Sequence, residues 1–222
     1  MPNWVYNHIR LSGDAETLTK FWEQATKPHP TAVQNPTMPY ETKDGEWVII
    51  ENNEFSFWNF VAPPESSWKD YFSTANGSAP EGNWYNWNIA NWGTKWDTDL
   101  DDFDTQDECI TLSFQTAWSP PSGVYEAMVK QYPTLDISIE WEEEQGFGAE
   151  LESDGEGGLV LVKEWDIPES HADYVDRDRE DSCNCASDDD QEYWYDDCPN
   201  KAPDIEDGHL RPIENLAFEP IS

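Results

Sequence analysis

The amino-acid sequence predicts an α+β protein in which one sheet is covered by two helices and followed by an acidic extension. Three observations carry this. Short segments that alternate apolar and polar residues recur along residues 1–166. Two stretches with a period of about 3.6 residues lie between them. Past residue 167 the apolar pattern gives way to carboxylates.

Val5 to Leu11 places Val5, Asn7, Ile9 and Leu11 on one face and Tyr6, His8 and Arg10 on the other, a strand pattern. Ser12-Gly13-Asp14 supplies a turn and an N-cap. Leu18, Phe21, Trp22 and Ala25 then follow the i, i+3, i+4, i+7 spacing of an amphipathic helix over Ala15 to Ala25. Lys27-Pro28-His29-Pro30 stops it. Residues 27–53 carry Pro28, Pro30, Pro36 and Pro39 and read as an inserted arm, with Glu46 to Ile50 a short strand inside it. Glu54 to Ala62 sets Phe55, Phe57, Asn59 and Val61 against Ser56, Trp58 and Phe60. Aromatic on both faces, it predicts a central strand that Pro63-Pro64 ends.

Residues 65–109 form an aromatic and then acidic insert with no clear period beyond a short helix at Ser67 to Phe72. Ile110 to Trp118 alternates again and is terminated by Ser119-Pro120-Pro121. Ser122 to Tyr132 predicts the second helix, with Tyr125, Met128, Val129 and Tyr132 on one face. Leu135 to Trp141, Phe147 to Glu152 and Leu159 to Trp165 are three further strands, the last two turning at Asp154-Gly155-Glu156-Gly157-Gly158. Strand, helix, strand, insert, strand, helix, strand is the ferredoxin-like split βαβ arrangement, here with a hairpin added. Residues 1–166 are thus one ferredoxin-like domain and residues 167–222 an acidic extension. Composition alone makes that extension disordered. Tyr193-Trp194-Tyr195 and the late Leu210, Ile213, Leu216 and Phe218 argue that parts of it dock.

Charge sets the function classes. Forty-seven acids against twelve Lys and Arg give a net of −35. Such self-repulsion favours a soluble monomer. It excludes direct binding of nucleic acid, which needs clustered cations, and disfavours an anionic membrane surface. It favours basic proteins or divalent metals. No apolar run is long enough for a membrane-spanning helix, and Met1-Pro2-Asn3-Trp4 opens without the pattern of a secretory signal. The expected compartment is a host cytoplasm, where cysteines are reduced or metal-bound.

The densest stretch is Trp84-Tyr85-Asn86-Trp87-Asn88 through Asn91-Trp92-Gly93-Thr94-Lys95-Trp96-Asp97. Four tryptophans so close together predict a core plug, with a recognition surface as the alternative. Lys95, a cation among acids, predicts an ion pair or a cation–π contact.

Three ordered motifs resemble the YubB-like ferredoxin-like domain family: Met1-Pro2-Asn3-Trp4, Asn91 to Asp97, and Phe114-Gln115-Thr116-Ala117-Trp118-Ser119-Pro120-Pro121. Glu140 to Gly148 is similar to the acidic-then-glycine hairpin that follows in such proteins. The resemblance covers roughly residues 1–165. It implies a ferredoxin-like fold and a phage or plasmid origin. It implies no reaction and no catalytic residue. Val5 stands where many members have Cys, and the arm and the acidic extension depart from the shorter pattern.

Residues 140–207 hold 25 acids and 4 bases, and Asp97 to Glu108 adds seven acids and no base. Carboxylates on adjacent strands can imitate the two phosphate rails of DNA. The expected partner is therefore a nucleic-acid-binding or otherwise basic host protein, plausibly a defence or DNA-processing enzyme held by a DNA mimic. The expected stand-ins are Asp99, Asp101, Asp102, Asp104, Glu142, Glu143, Glu144, Asp188, Asp189 and Asp190. The plain alternative is a solvated acidic surface.

A second reading is a metal-stabilised accessory module without mimicry. Asp97-x-Asp99-x-Asp101 with Glu108 copies part of a Ca²⁺ loop, but Asp102 stands where the sharp turn wants Gly. Cys183, Cys185 and Cys198 with a nearby His could hold Zn²⁺, although C-x-C is tighter than the usual spacing. Cys109 opens a strand and is expected in the core. With no phosphate loop, no nucleophile elbow and a charge of −35, the sequence predicts a protein that is not an enzyme.

Overall fold

In the computed structural model, α1 (Ala15–Ala25) and α4 (Ser122–Gln131) pack on one face of a six-stranded antiparallel sheet. The structure describes residues 2–29, 54–72, 82–98, 100–106 and 108–167. The strands are β1 (Trp4–Ser12), β2 (Leu100–Gln106), β3 (Cys109–Ala117), β4 (Asp136–Glu143), β5 (Gly148–Ser153) and β6 (Leu159–Trp165). Their order is β2-β3-β1-β4-β5-β6, and every neighbouring pair is antiparallel. The arm strand expected at Glu46 to Ile50 and the extension beyond residue 167 lie outside the described residues.

β1 is central because its alternation is the cleanest. Val5, Asn7, Ile9 and Leu11 are buried, while Tyr6, His8 and Arg10 are exposed. Asp14 starts α1 by accepting from Thr17 N at 2.9 Å, and Leu18, Phe21 and Ala25 turn inward. α4 follows Pro121 and buries Val124, Tyr125, Met128 and Val129. β4, β5 and β6 occupy the spans that their alternation predicts, give or take two residues. Gly148 on β5 has a packing reason. A Cβ there would lie 2.8 Å from the ring of Trp165 on β6 and 2.2 Å from the Trp141 carbonyl.

Two expectations are corrected. Glu54 to Ala62 is not a central strand. It is an irregular segment with a 3₁₀ turn at Phe57–Asn59, and it buries Phe55, Phe57, Trp58 and Phe60. Side chains satisfy its backbone instead of a ladder. Gln24 Nε2 donates to Asn59 O at 3.0 Å, Gln131 Nε2 to Phe60 O at 3.1 Å, and Trp92 Nε1 to Val61 O at 2.7 Å. Asn59 Nδ2 donates back to Ala25 O at 2.9 Å. Aromatics on both faces therefore signal a plug enclosed on both sides.

The strand that joins β3 at the sheet edge is instead β2, inside the region without a clear period. Its sequence LDDFDTQ is exposed almost throughout, which hides it from any hydrophobic pattern. Phe103 is its apolar anchor and stacks on Trp22 of α1 at 5.2 Å. An edge strand lined with carboxylates resists pairing with another chain. The same region holds two further helices, α2 (Trp68–Tyr71) and α3 (Trp84–Asn91), the second capped by Asn83.

Candidate functional site

The face of the sheet without helices carries the charge. Cross-strand register arranges its side chains in rows. One row runs Asp104, Thr111, Arg10, Ser138, Glu152. The next runs Asp102, Ser113, His8, Glu140, Glu150, Lys163. A third runs Gln115, Tyr6, Glu142, Gly148, Trp165. The register shift between Leu100 and Asp102 is a bulge. It brings Asp101 to the same face, where its Oδ2 accepts from Gln115 Nε2 at 3.1 Å.

The acids therefore form two rails. Asp101, Asp102 and Asp104 line β2; Glu140, Glu142, Glu150 and Glu152 line β4 and β5. Between them lie β3 and β1, which carry Ser113, Thr111, His8 and Arg10. Three strand spacings, about 14 Å, separate β2 from β4, a fourth places β5 about 19 Å away, and acids two apart on one strand stand about 6.7 Å apart. His8 Nδ1 is 2.9 Å from Ser113 Oγ within the central strip.

Of the expected stand-ins, Asp101, Asp102, Asp104 and Glu142 lie on this face. Glu142 also accepts from Trp165 Nε1 at 3.1 Å. Glu144 lies just past β4 and accepts from Trp4 N at 3.1 Å. Glu143 must be removed from the set. It points to the covered side, is 2% exposed, and accepts from Gln145 N at 2.7 Å. Asp99, Asp188, Asp189 and Asp190 lie outside the described residues, as do Cys183, Cys185 and Cys198. Glu140, Glu150 and Glu152 share this face and are not among the stand-ins that the sequence predicts. Their signal was present in β4, where Glu140 and Glu142 alternate with Ile139 and Trp141.

The residues of the Ca²⁺-loop motif are used differently. Asp97 turns inward: its Oδ2 accepts from Ser56 Oγ at 2.5 Å, and its Oδ1 accepts from Phe57 N at 2.8 Å and Thr98 N at 3.0 Å. Burial pushes its carboxyl above the ordinary range, against the pull of those donors and of His29 nearby. The same burial, reinforced by Asp97, raises the Tyr71 phenol, which donates to Asn88 Oδ1 at 2.8 Å. Asp101 faces Gln115, and residues 100–106 are strand, so Asp97 and Asp101 do not share one continuous loop of the kind the motif describes. Among the described residues no group of three His, Cys, Asp or Glu side chains converges. Cys109 is half-buried at the start of β3 rather than in the core.

At one end of the acidic face the central motif divides. Trp92 is 1% exposed and belongs to the plug, against Phe57 at 5.7 Å and Trp87 at 5.8 Å. Trp84 and Trp87 pack partly buried on the same core. Trp96 instead joins a surface cluster, 6.3 Å from Trp4 and stacked with Trp118 at 6.4 Å. Lys95 Nζ lies over Trp96 at 4.2 Å, Trp118 at 4.9 Å and Tyr85 at 5.6 Å, so the expected cation–π contact is present. Trp118 has φ of +70° and is 47% exposed. A bulky residue rarely adopts that backbone, and such strain persists where surrounding contacts enforce it. Here Trp118 N donates to Asn3 O at 2.8 Å, and Pro120 follows.

Comparison with known proteins agrees with the fold class. Residues 91–185 match the model of the ferredoxin-like domain in Api92-like protein. Among solved structures the chain is similar to the protein api92 from Yersinia pseudotuberculosis, at 9% identity and a TM-score of 0.46, over 76% of this chain and 99% of that one. No curated protein matches. With the family-model match and its own antiparallel sheet under two helices, the protein carries a ferredoxin-like α+β domain. The matched model is described as Api92-like and does not carry the YubB-like name or the mobile-element origin that the motifs imply.

Proposed function

We propose that this protein acts by binding rather than by catalysis, docking the helix-free face of its split βαβ sheet on a basic, nucleic-acid-binding surface of another protein. The carboxylates stand where DNA would present phosphates. The two rails carry this reading: Asp101, Asp102 and Asp104 on one side, and Glu140, Glu142, Glu150 and Glu152 on the other. Asp101, Asp102 and Asp104 stand three strand spacings, about 14 Å, from Glu140 and Glu142, close to the ~12 Å width of the DNA major groove, and Glu150 and Glu152 lie one spacing further out. The net charge of −35 adds long-range steering toward cationic partners. A host defence or DNA-processing enzyme is the target class that this chemistry fits.

The test is capture of partners from lysate by the tagged full chain at low salt, followed by elution with duplex DNA or with polyglutamate of equal charge. Mimicry expects a nucleic-acid-binding protein released by DNA at concentrations where polyglutamate does little. It also expects capture to vanish when the seven rail acids become Asn or Gln. Equal release by both polyanions, or survival of capture in the neutralised variant, refutes it.

A further inference from the structure

We infer that the cavity between Trp4, Trp96 and Asp101 is a guanidinium site that takes one arginine side chain of a partner. This deepens the proposed binding of a basic protein and rests on it for the source of the arginine. The guanidinium chemistry itself stands on the cavity alone.

The cavity has a volume of about 250 Å³. Pockets that enclose a whole small molecule run to roughly 300–1,000 Å³, so this one suits a single side chain. Its walls are the Trp4 and Trp96 indoles, 6.3 Å between centroids and tilted 38°. Its polar lining is Asp97, Thr98, Asp101, Gln115 and Thr116. The Thr98 and Thr116 hydroxyls already donate, to Gln115 O at 2.9 Å and Ser119 O at 3.0 Å. Asp97 is engaged by Ser56, Phe57 and Thr98. Asp101 differs. It is exposed at the rim, and only its Oδ2 is engaged among the described residues, by Gln115. A carboxylate offers about four lone-pair sites, so it can still receive a fork of N–H donors.

Two further observations select the ligand. The cluster already holds one cation, Lys95, over Trp96, Trp118 and Tyr85. No cation lies over Trp4 among the described residues, and its indole, half-buried beside Trp96, is part of the cavity wall. The cavity also opens at the end of the β2 rail, where a basic partner would lie. A divalent ion needs several oxygen ligands, and of the polar groups in this lining Asp97, Thr98 and Thr116 are already committed to hydrogen bonds within the fold while the two indoles offer no oxygen. A lysine would add a compact, strongly hydrated charge. The planar guanidinium is weakly hydrated, stacks on indole and pairs with a carboxylate edge. An arginine so placed is the kind of anchor that dominates an interface.

The experiment titrates the full chain with Nα-acetyl-arginine amide, using the neutral near-isostere Nα-acetyl-citrulline amide as control. Binding is read by NMR shifts of the indole N–H groups. The expected result is saturable binding with Kd on the order of millimolar, as befits so small a ligand. Trp4 and Trp96 should shift, and citrulline should bind about tenfold more weakly or not at all. Asp101→Asn should weaken arginine binding about tenfold. Glu23→Gln, which removes one charge on the far side of α1, should not. Trp4→Leu, checked for an unchanged fold by circular dichroism, should abolish it. Equal shifts with citrulline, no binding, or an Asp101→Asn variant that binds like the parent each overturn the assignment. If arginine binds but captured partners resist elution by DNA, the site stands and DNA mimicry falls.

Discussion

The same strands present two opposite faces. On the covered face, Ile9, Leu11, Leu112, Phe114, Ile137 and Ile139 meet the helices and the aromatic plug at near-zero exposure. On the open face, one residue along, stand Arg10, His8, Thr111, Ser113, Glu140 and Glu142. The covered face is built for stability. The open face works against it, because Glu140 sits directly opposite Glu150 and like charges across a ladder repel. Lys163, opposite Glu150 on the other side, offsets part of that repulsion.

The covered face should give the largest losses. Trp92→Ala removes a fully enclosed indole and its bond to Val61 O, and should cost about 3–5 kcal/mol. That is a large share of the ~5–15 kcal/mol of a typical domain, and denaturant unfolding would measure it. A loss below ~1 kcal/mol would show that the plug is not part of the cooperative core. Next comes the polar exception on that face. Asn7 is 3% exposed, donates to Phe114 O at 3.2 Å and Thr116 Oγ1 at 3.1 Å, and accepts from Tyr125 Oη at 2.5 Å. Asn7→Ala strands those partners and should cost ~1–3 kcal/mol, with Tyr125→Phe costing less. A double-mutant cycle should show strong coupling between the two, and additive losses would count against the bond.

The difference between the faces also decides what could be read from the sequence. β1, β3 and β4 were legible because each has one apolar and one polar side, and α1 because its stripe is clean. β2 was not, since LDDFDTQ contributes only the partly buried Leu100 to the core, Phe103 staying exposed against Trp22. Glu54 to Ala62 was misread for the opposite reason: every side is apolar, and period two fits any such run. That Gln24, Gln131 and Trp92 satisfy its backbone is a tertiary fact with no local signature. The carboxylates of the β2 rail were legible as a cluster. Their alignment with Glu140, Glu150 and Glu152 depends on the order β2-β3-β1-β4-β5, which needs β2 to be placed first. Trp118 carries no sequence sign of its left-handed backbone, and Trp4 joined the site only through its pairing with Ala117.

Asp97 joins the two regions, since it holds Ser56 and Phe57 of the plug while lining the cavity at the end of the open face. Asp97→Ala should cost ~1–3 kcal/mol by leaving those donors unpaired. Its pH dependence has a defined sign. Burial raises the folded carboxyl above its unfolded value of about 3.9. The contribution is therefore full below that value and declines as pH rises toward the folded value, because the unfolded chain releases its proton first. Asp97→Asn lacks this titration. The stability of the parent relative to Asp97→Asn should fall as pH is raised from about 4, and a gap independent of pH would contradict the assignment.

The smallest effects should come from the open face, and their sign carries the information. Glu140→Gln removes one of two opposed carboxylates and should raise stability by about 0.2–1 kcal/mol at low salt. The gain should fade in 1 M salt, where the screening length is about 3 Å. Glu142→Gln sharpens the comparison. Its carboxylate accepts from Trp165 Nε1 on β6, so a replacement that keeps an acceptor should leave stability near neutral. If Glu140→Gln instead destabilised the fold, the repulsion across β4 and β5 would not exist as drawn, and the rail would be a structural element. If it stabilises, the acids are retained against folding stability, as expected of residues kept for what they meet rather than for what they hold together.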